Sequence, residues 1–199
     1  METITAISSR RSIRKYQAAP IPHNDIEKII LAGMQAPSPK NRQPWRFAVI
    51  EGGAKADMIS AMIKGLEREV TYPKLLESSI HISGAKYSIS VMEQAPVTIF
   101  VINPLNMMER FPVDWEARFG DISNVQSVGA CIQNMLLAAT DLGYGSLWIN
   151  DIYFAYEEIG KWLNTNKQIV AAVSFGIPAE NPSARPRNNT ADMVEWKNS

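Results

Sequence analysis

Apolar residues recur along this chain in two rhythms, one of helical period and one of strand type. Ile4 and Ile7 suggest a short first helix ending in the basic run Arg10-Arg11-Ser12-Ile13-Arg14-Lys15. After a loop with Pro20 and Pro22, Asn24 offers an N-cap with Glu27 three residues on. Ile26, Ile29, Ile30 and Met34 then share one helical face, and Pro37 and Pro39 stop that helix. Phe47, Val49 and Ile50 read as a short strand, and Met58, Ile59, Met62, Ile63 and Leu66 as an amphipathic helix with Glu67, Arg68 and Glu69 on its solvated face. Residues 71–93 read as helical in pieces, and the β-branched run 97–102 as a buried strand. Residues 103–117, with Pro104 and Pro112, read as irregular. The strongest helical pattern spans 122–142, where Ile122, Val125, Val128, Gly129, Ile132, Met135, Leu136, Ala139 and Leu142 form a wide stripe closed by Gly143 as the C′ residue. A strand over 145–149, a helix over 156–163, a core strand over 169–175 and an extended arm from Pro178 complete the reading.

Helices and strands alternate imperfectly and no repeat period is present. The expected class is therefore α+β, with helices packed around a small mixed sheet. No linker divides the chain, and its 199 residues, 46% hydrophobic, suit one domain over positions 1–199. Twenty basic and twenty acidic residues cancel, so bulk charge argues for neither a nucleic-acid nor a membrane partner. No apolar stretch approaches the roughly 20 residues that span a bilayer, and residues 1–14 lack the apolar core of a secretory leader. The single cysteine, Cys131, cannot form an internal disulfide and has no neighbouring histidine in sequence, so it reads as a buried structural thiol. The cytoplasm is the expected location. His23 and His81 are isolated and do not make a metal site.

Three segments carry candidate chemistry. Arg10, Arg11, Arg14 and Lys15 crowd the start of the chain, and Arg185 and Arg187 stand near its end. Together with the Ser12 hydroxyl they could assemble one anion site, since arginine binds phosphate bidentately. Charge alone favours a solvated face and a free tail. The segment Pro37-Ser38-Pro39-Lys40-Asn41-Arg42-Gln43-Pro44-Trp45 sets amide and hydroxyl groups between rigid prolines. It could serve a heteroaromatic ring edge or act only as a helix-to-strand connection. The segment Gly143-Tyr144-Gly145-Ser146-Leu147-Trp148-Ile149-Asn150 permits close approach of backbone to a ligand, or simply turns a helix into a strand. It follows a helix rather than opening one, so it is no dinucleotide fingerprint.

Taken together, Ser9-Arg10-Arg11-Ser12-Ile13-Arg14, the 37–45 loop, residues 143–150 and Phe175-Gly176-Ile177-Pro178 with Arg185-Pro186-Arg187 resemble the nitroreductase family in order and spacing along nearly the whole chain. The resemblance implies an α+β sandwich forming an intertwined homodimer with FMN at the interface. It implies that Arg10 and Ser12, with Arg11 beside them, hold the FMN phosphate and ribityl chain. Arg185 and Arg187 complete the phosphate site. Arg14 reaches toward the N1/O2 side of the ring, where a cation favours the reduced state. Pro37, Ser38, Asn41 and Gln43 come from the other subunit, and the stretch Leu147, Trp148, Ile149 and Asn150 sets backbone groups near the N5 edge. Some relatives place an Asn and a Lys under the flavin where this chain has Ser88 and Val91. That departure leaves Arg14 as the main candidate for stabilising the reduced ring.

The activity so implied is transfer of a hydride from NADH or NADPH through flavin to a nitroaromatic, a quinone or a similar small-molecule acceptor. Donor and acceptor would use one site in turn. The rivals are another flavin chemistry on the same fold, such as dehalogenation or ene reduction, and a flavin-binding or sensing protein without turnover.

Overall fold

The β-branched run expected to be buried does form the centre of the molecule. The computed structural model describes residues 1–74, 78–108 and 114–197. In chain order the elements are α1 (Thr3–Ser9), α2 (His23–Met34), a 3-10 turn (Pro39–Asn41), β1 (Arg46–Glu51), α3 (Ala54–Thr71), α4 (Ser78–Gln94), β2 (Val97–Met107), α5 (Trp115–Asp141), β3 (Gly145–Ile149), a second 3-10 turn (Asp151–Ala155), α6 (Tyr156–Trp162), β4 (Lys167–Gly176) and α7 (Thr190–Met193).

The strands form one sheet in the order β1-β2-β4-β3, and every ladder between them is antiparallel. Among the described residues the expected mixed character reduces to one parallel bridge, Ser12 to Ser146, on the outer edge of β3. The connections explain this. Helices α3 and α4 pack as an out-and-back pair, returning the chain to the end of the sheet that β1 left. Side chains of β2 alternate between the faces. Phe100 and Ile102 meet Met58, Met62, Met92 and Ile159 from α3, α4 and α6. Ile99 and Val101 meet Ile26, Ile29, Ile132 and Met135 from α2 and α5.

Helix α5 begins earlier than the apolar stripe suggests, because the Asp114 side chain accepts from Ala117 N at 2.7 Å and caps it. Its C-terminus closes as expected. Gly143 takes φ +84°, and Gly143 N and Tyr144 N donate back to the carbonyls of Thr140 and Ala139 at 3.1 and 2.8 Å. Of the stripe, Val128, Ile132, Met135, Leu136 and Ala139 are buried, while Ile122, Val125 and Leu142 are exposed. Trp115 and Phe119 extend that exposed set, 82% and 71% accessible, along the first turns of α5.

Other expectations change. Asn24 does not cap α2; the helix starts at His23 after Pro22, and no side chain caps it. Met34 is exposed. Residues 78–94 form one continuous helix rather than pieces, and β2 runs on through residue 107 where irregular chain was expected. The remaining parts of those segments, 75–77 and 109–113 with Pro112, lie outside the described residues. The Glu67–Glu69 face is solvated only at Glu67. Glu69 is 1% exposed, and Arg68 bridges it to Glu158 on α6, donating at 2.7 Å to Glu69 and at 2.9 Å to Glu158. Glu69 falls on the same helical face as Met58, Met62 and Leu66, a placement that spacing alone could have revealed. Cys131 is fully buried as expected. Among the described residues no helix is long and apolar enough to cross a membrane, and no cluster of side chains suits a metal.

Candidate functional site

The two ends of the chain meet beside β3. Ile13 N donates to Ser146 O at 2.9 Å, which lays residues 12–13 along the outer edge of that strand. Gly145 is required there, because a Cβ would stand 2.8 Å from the Ile13 side chain. Tyr16 bridges to Pro178, Gln17 N donates to Ile177 O and Ala179 N donates to Lys15 O, both at 2.9 Å. The Tyr16 hydroxyl donates to Ile13 O at 2.9 Å, and burial holds its pKa well above the ordinary phenol value. Glu180 accepts from Arg14 N at 2.5 Å. Sequence reading overlooked Glu180 and Tyr16, since no spacing rule ties positions 14 and 180.

The arginines at this junction are mostly unspent. Among the described residues the Arg11 guanidinium donates only to the backbone carbonyls of Ser8 and Arg10, at 2.7 and 2.8 Å, and the Arg14 guanidinium only to Ser12 O at 3.1 Å. Among the described residues, the guanidinium groups of Arg10, Arg185 and Arg187 make no hydrogen bond and no ion pair. The structure brings Arg10, Arg11, Ser12 and Arg14 together. It leads the C-terminal segment past them as far as Glu180, and leaves Arg185 and Arg187 exposed on the arm beyond. An open cavity of about 260 Å³ lies at this junction, lined by Ser9, Arg11, Gly143, Pro178 and Glu180 among others. Ser146 Oγ is buried and lacks a hydrogen-bond partner among the described residues. A surplus of uncompensated guanidinium groups fits a doubly charged phosphate.

The 37–45 loop is held in a costly shape. Lys40, Asn41 and Gln43 adopt φ of 54°, 53° and 48°, and Gln43 N donates to Ser38 Oγ at 2.9 Å. Each left-handed non-glycine residue costs roughly 1–2 kcal/mol, less for Asn. Buried Pro44 and Trp45 and the 3-10 turn against α5 keep the loop in place. The consequence is outward presentation: Pro37, Asn41 and Gln43 are exposed and Ser38 is half-buried.

β3 is an edge strand. The Ser146 carbonyl faces that edge, so the two-residue alternation sends the N–H and C=O of Trp148 to the same free edge. Leu147 and Ile149 are buried, whereas Trp148 and Asn150 reach solvent, and Trp148 Nε1 donates to Asn150 Oδ1 at 3.0 Å. Gly129 on α5 faces the Trp148 ring, and a Cβ added there would stand 3.8 Å from the ring carbon Cη2. Just beyond, Ser88 on α4 donates to the Asp151 carboxylate, while Val91 is fully buried. Ser88 is therefore committed to the protein, and Val91 offers nothing to a ligand. Helix α5 is the common scaffold, since α1, the 39–41 turn and β3 all pack on it.

Comparison with known proteins gives a consistent picture. The model of the nitroreductase family matches residues 7–177. A protein of Methanothermobacter thermautotrophicus, provisionally named NADH dehydrogenase/NAD(P)H nitroreductase, is 30% identical over 189 residues, 93% of this chain and 82% of that one. A Desulfovibrio desulfuricans structure described as a nitroreductase in complex with FMN shares 27% identity at a TM-score of 0.74, covering 100% of this chain and 98% of that one. The FMN-dependent nitroreductase NfnB of Mycobacterium smegmatis, solved with NADPH, superposes at a TM-score of 0.77 over 98% of this chain and 97% of that one; at 17% identity it speaks to the fold alone.

Proposed function

The chain belongs to the nitroreductase family, and from that premise we propose that it is an FMN-dependent oxidoreductase transferring reducing equivalents from NADH or NADPH to a nitroaromatic, a quinone or a similar acceptor. The observation that carries this reading is the set of unpaired arginines at the chain-end junction, next to the free edge of β3. Arg10, Arg11 and Ser12, joined by Arg185 and Arg187 once the arm closes, hold the phosphate. Arg14 brings a cation to the pyrimidine edge of the ring. Pro37, Ser38, Asn41 and Gln43 supply amide and hydroxyl groups from the partner subunit, and the Trp148 backbone supplies a donor and an acceptor. FMN, when bound, supplies a ring that takes up two electrons and a proton and passes them on.

One chain presents its candidate groups on open surface, so the site needs a second copy to enclose it. The exposed Trp115, Phe119, Ile122 and Val125 of α5 supply an apolar face for a homodimer. The protein's part is to orient the ring, to exclude water and to leave one face for donor and acceptor in succession. No side chain is assigned as a proton donor. The one cysteine is buried, and the proposed location is the cytoplasm.

Initial velocities test the scheme. With NAD(P)H and a quinone both varied, the expected pattern is parallel double-reciprocal lines. Intersecting lines would contradict succession at one face, and no oxidation of either donor would overturn the oxidoreductase reading in favour of binding without turnover.

A further inference from the structure

Two cationic side chains in the strained loop stand apart from the proposed FMN contacts. Lys40 and Arg42 alternate with Asn41 and Gln43, the residues assigned to the cofactor. Both are exposed, as is Arg46 at the start of β1. Among the described residues none of the three side chains makes a hydrogen bond or an ion pair. The protein is neutral overall, so three uncompensated cations within seven residues form a local positive rim.

The backbone sharpens the point. Lys40 sits at φ 54°, a conformation that Gly or Asn adopts at lower cost. The loop is locked by the Ser38 hydroxyl on Gln43 N, so the cations stand at fixed places beside the cofactor contacts rather than on a floppy segment. Whatever binds over the cofactor therefore lies within reach of them. The proposed acceptors, nitroaromatics and quinones, need carry no anion. The donor always does, and NADPH differs from NADH only by a 2′-phosphate dianion. The sequence carries no dinucleotide fingerprint, and the arginine cluster at the chain-end junction is assigned to the FMN phosphate.

We propose that Lys40 and Arg42 form a phosphate-reading rim that selects NADPH over NADH through its 2′-phosphate. The inference rests on the cofactor contacts assigned to Asn41 and Gln43. Lysine supplies a point charge and arginine a planar fork, a pairing suited to a terminal phosphate.

The test uses the FMN-loaded dimer and the double variant Lys40→Asn with Arg42→Gln. Asparagine keeps the left-handed backbone, and each change replaces a cation with a shorter neutral amide. Two readouts are taken: kcat/KM for NADPH and NADH, and calorimetric binding of adenosine 2′,5′-bisphosphate against 5′-AMP. The expected result is a drop of about tenfold in NADPH efficiency and in bisphosphate affinity, with NADH within about twofold and FMN content unchanged. Raising the salt from about 0.05 to about 0.5 M should erode the wild-type preference in the same direction. Equal loss for both donors, or bisphosphate binding indifferent to the substitutions, would overturn the proposal while leaving the reductase reading intact. Bisphosphate binding that depends on the two residues, in a wild type that oxidises neither donor, would overturn the reductase reading and leave the anion site standing.

Discussion

Burial decides the chemistry of Cys131. Its side chain is fully enclosed in α5, and burial pushes the thiol up to about 12. A thiol that ionises near 8.5 in the unfolded chain but near 12 when folded stabilises the fold fully below the lower value and progressively less as pH rises toward the upper one. The expected outcome is an alkaline loss of stability above about pH 8.5 that Cys131→Ala makes shallower in denaturant titrations. The thiol should also resist a disulfide reagent at pH 8 in the native protein and react at once in denaturant; rapid native reaction would refute the burial argument. Cys131 was legible from the sequence because its place beside an apolar stripe and its lack of partners pointed the same way. Glu69 was missed although its spacing puts it on the buried face, because a charged residue in a Glu-Arg-Glu string reads as solvent-facing until Arg68 and Glu158 are seen to enclose it.

At the scale of elements, α5 carries more than the core. Its C-terminal half is packed beneath the sheet, while Trp115, Phe119, Ile122 and Val125 leave an apolar ridge uncovered at its start. For the proposed homodimer, Phe119→Asp with Ile122→Asp is expected to give a monomer by light scattering and to lower flavin retention, because the other copy's 37–45 loop would leave with it. A dimer of unchanged mass would remove α5 from the interface. The inner half of this helix was plain from periodicity. Its true start was hidden because Trp115 and Phe119 precede the regular stripe and the cap, Asp114, sits outside it. Strand β2 outran its expected end for a related reason. Asn103 and Pro104 break the apolar run, and the ladder with β4, after pairing Asn103 with Gln168, resumes only at Met107 opposite Lys167.

In the whole molecule, the proposed site belongs to no single element. It joins the first sixteen residues to β3 through the bridge of Ser12 to Ser146 and to the segment after β4 through that of Tyr16 to Pro178. The residue types and their order were legible beforehand. The pairing of positions 14 and 180 was not, since contacts between distant segments leave no periodic trace. Substituting Arg10→Ala with Arg187→Ala should cost the protein most of its flavin on gel filtration, by about tenfold or more in affinity, with little change in thermal stability of the flavin-free form. Unchanged occupancy would dissolve the phosphate assignment. The most direct test of flavin-dependent reduction is the visible absorption spectrum of the purified protein, recorded before and after anaerobic NADPH or NADH. Flavin bands that bleach on adding donor are the expected result; a spectrum without flavin bands, even after incubation with FMN, would rule out an FMN-dependent reductase.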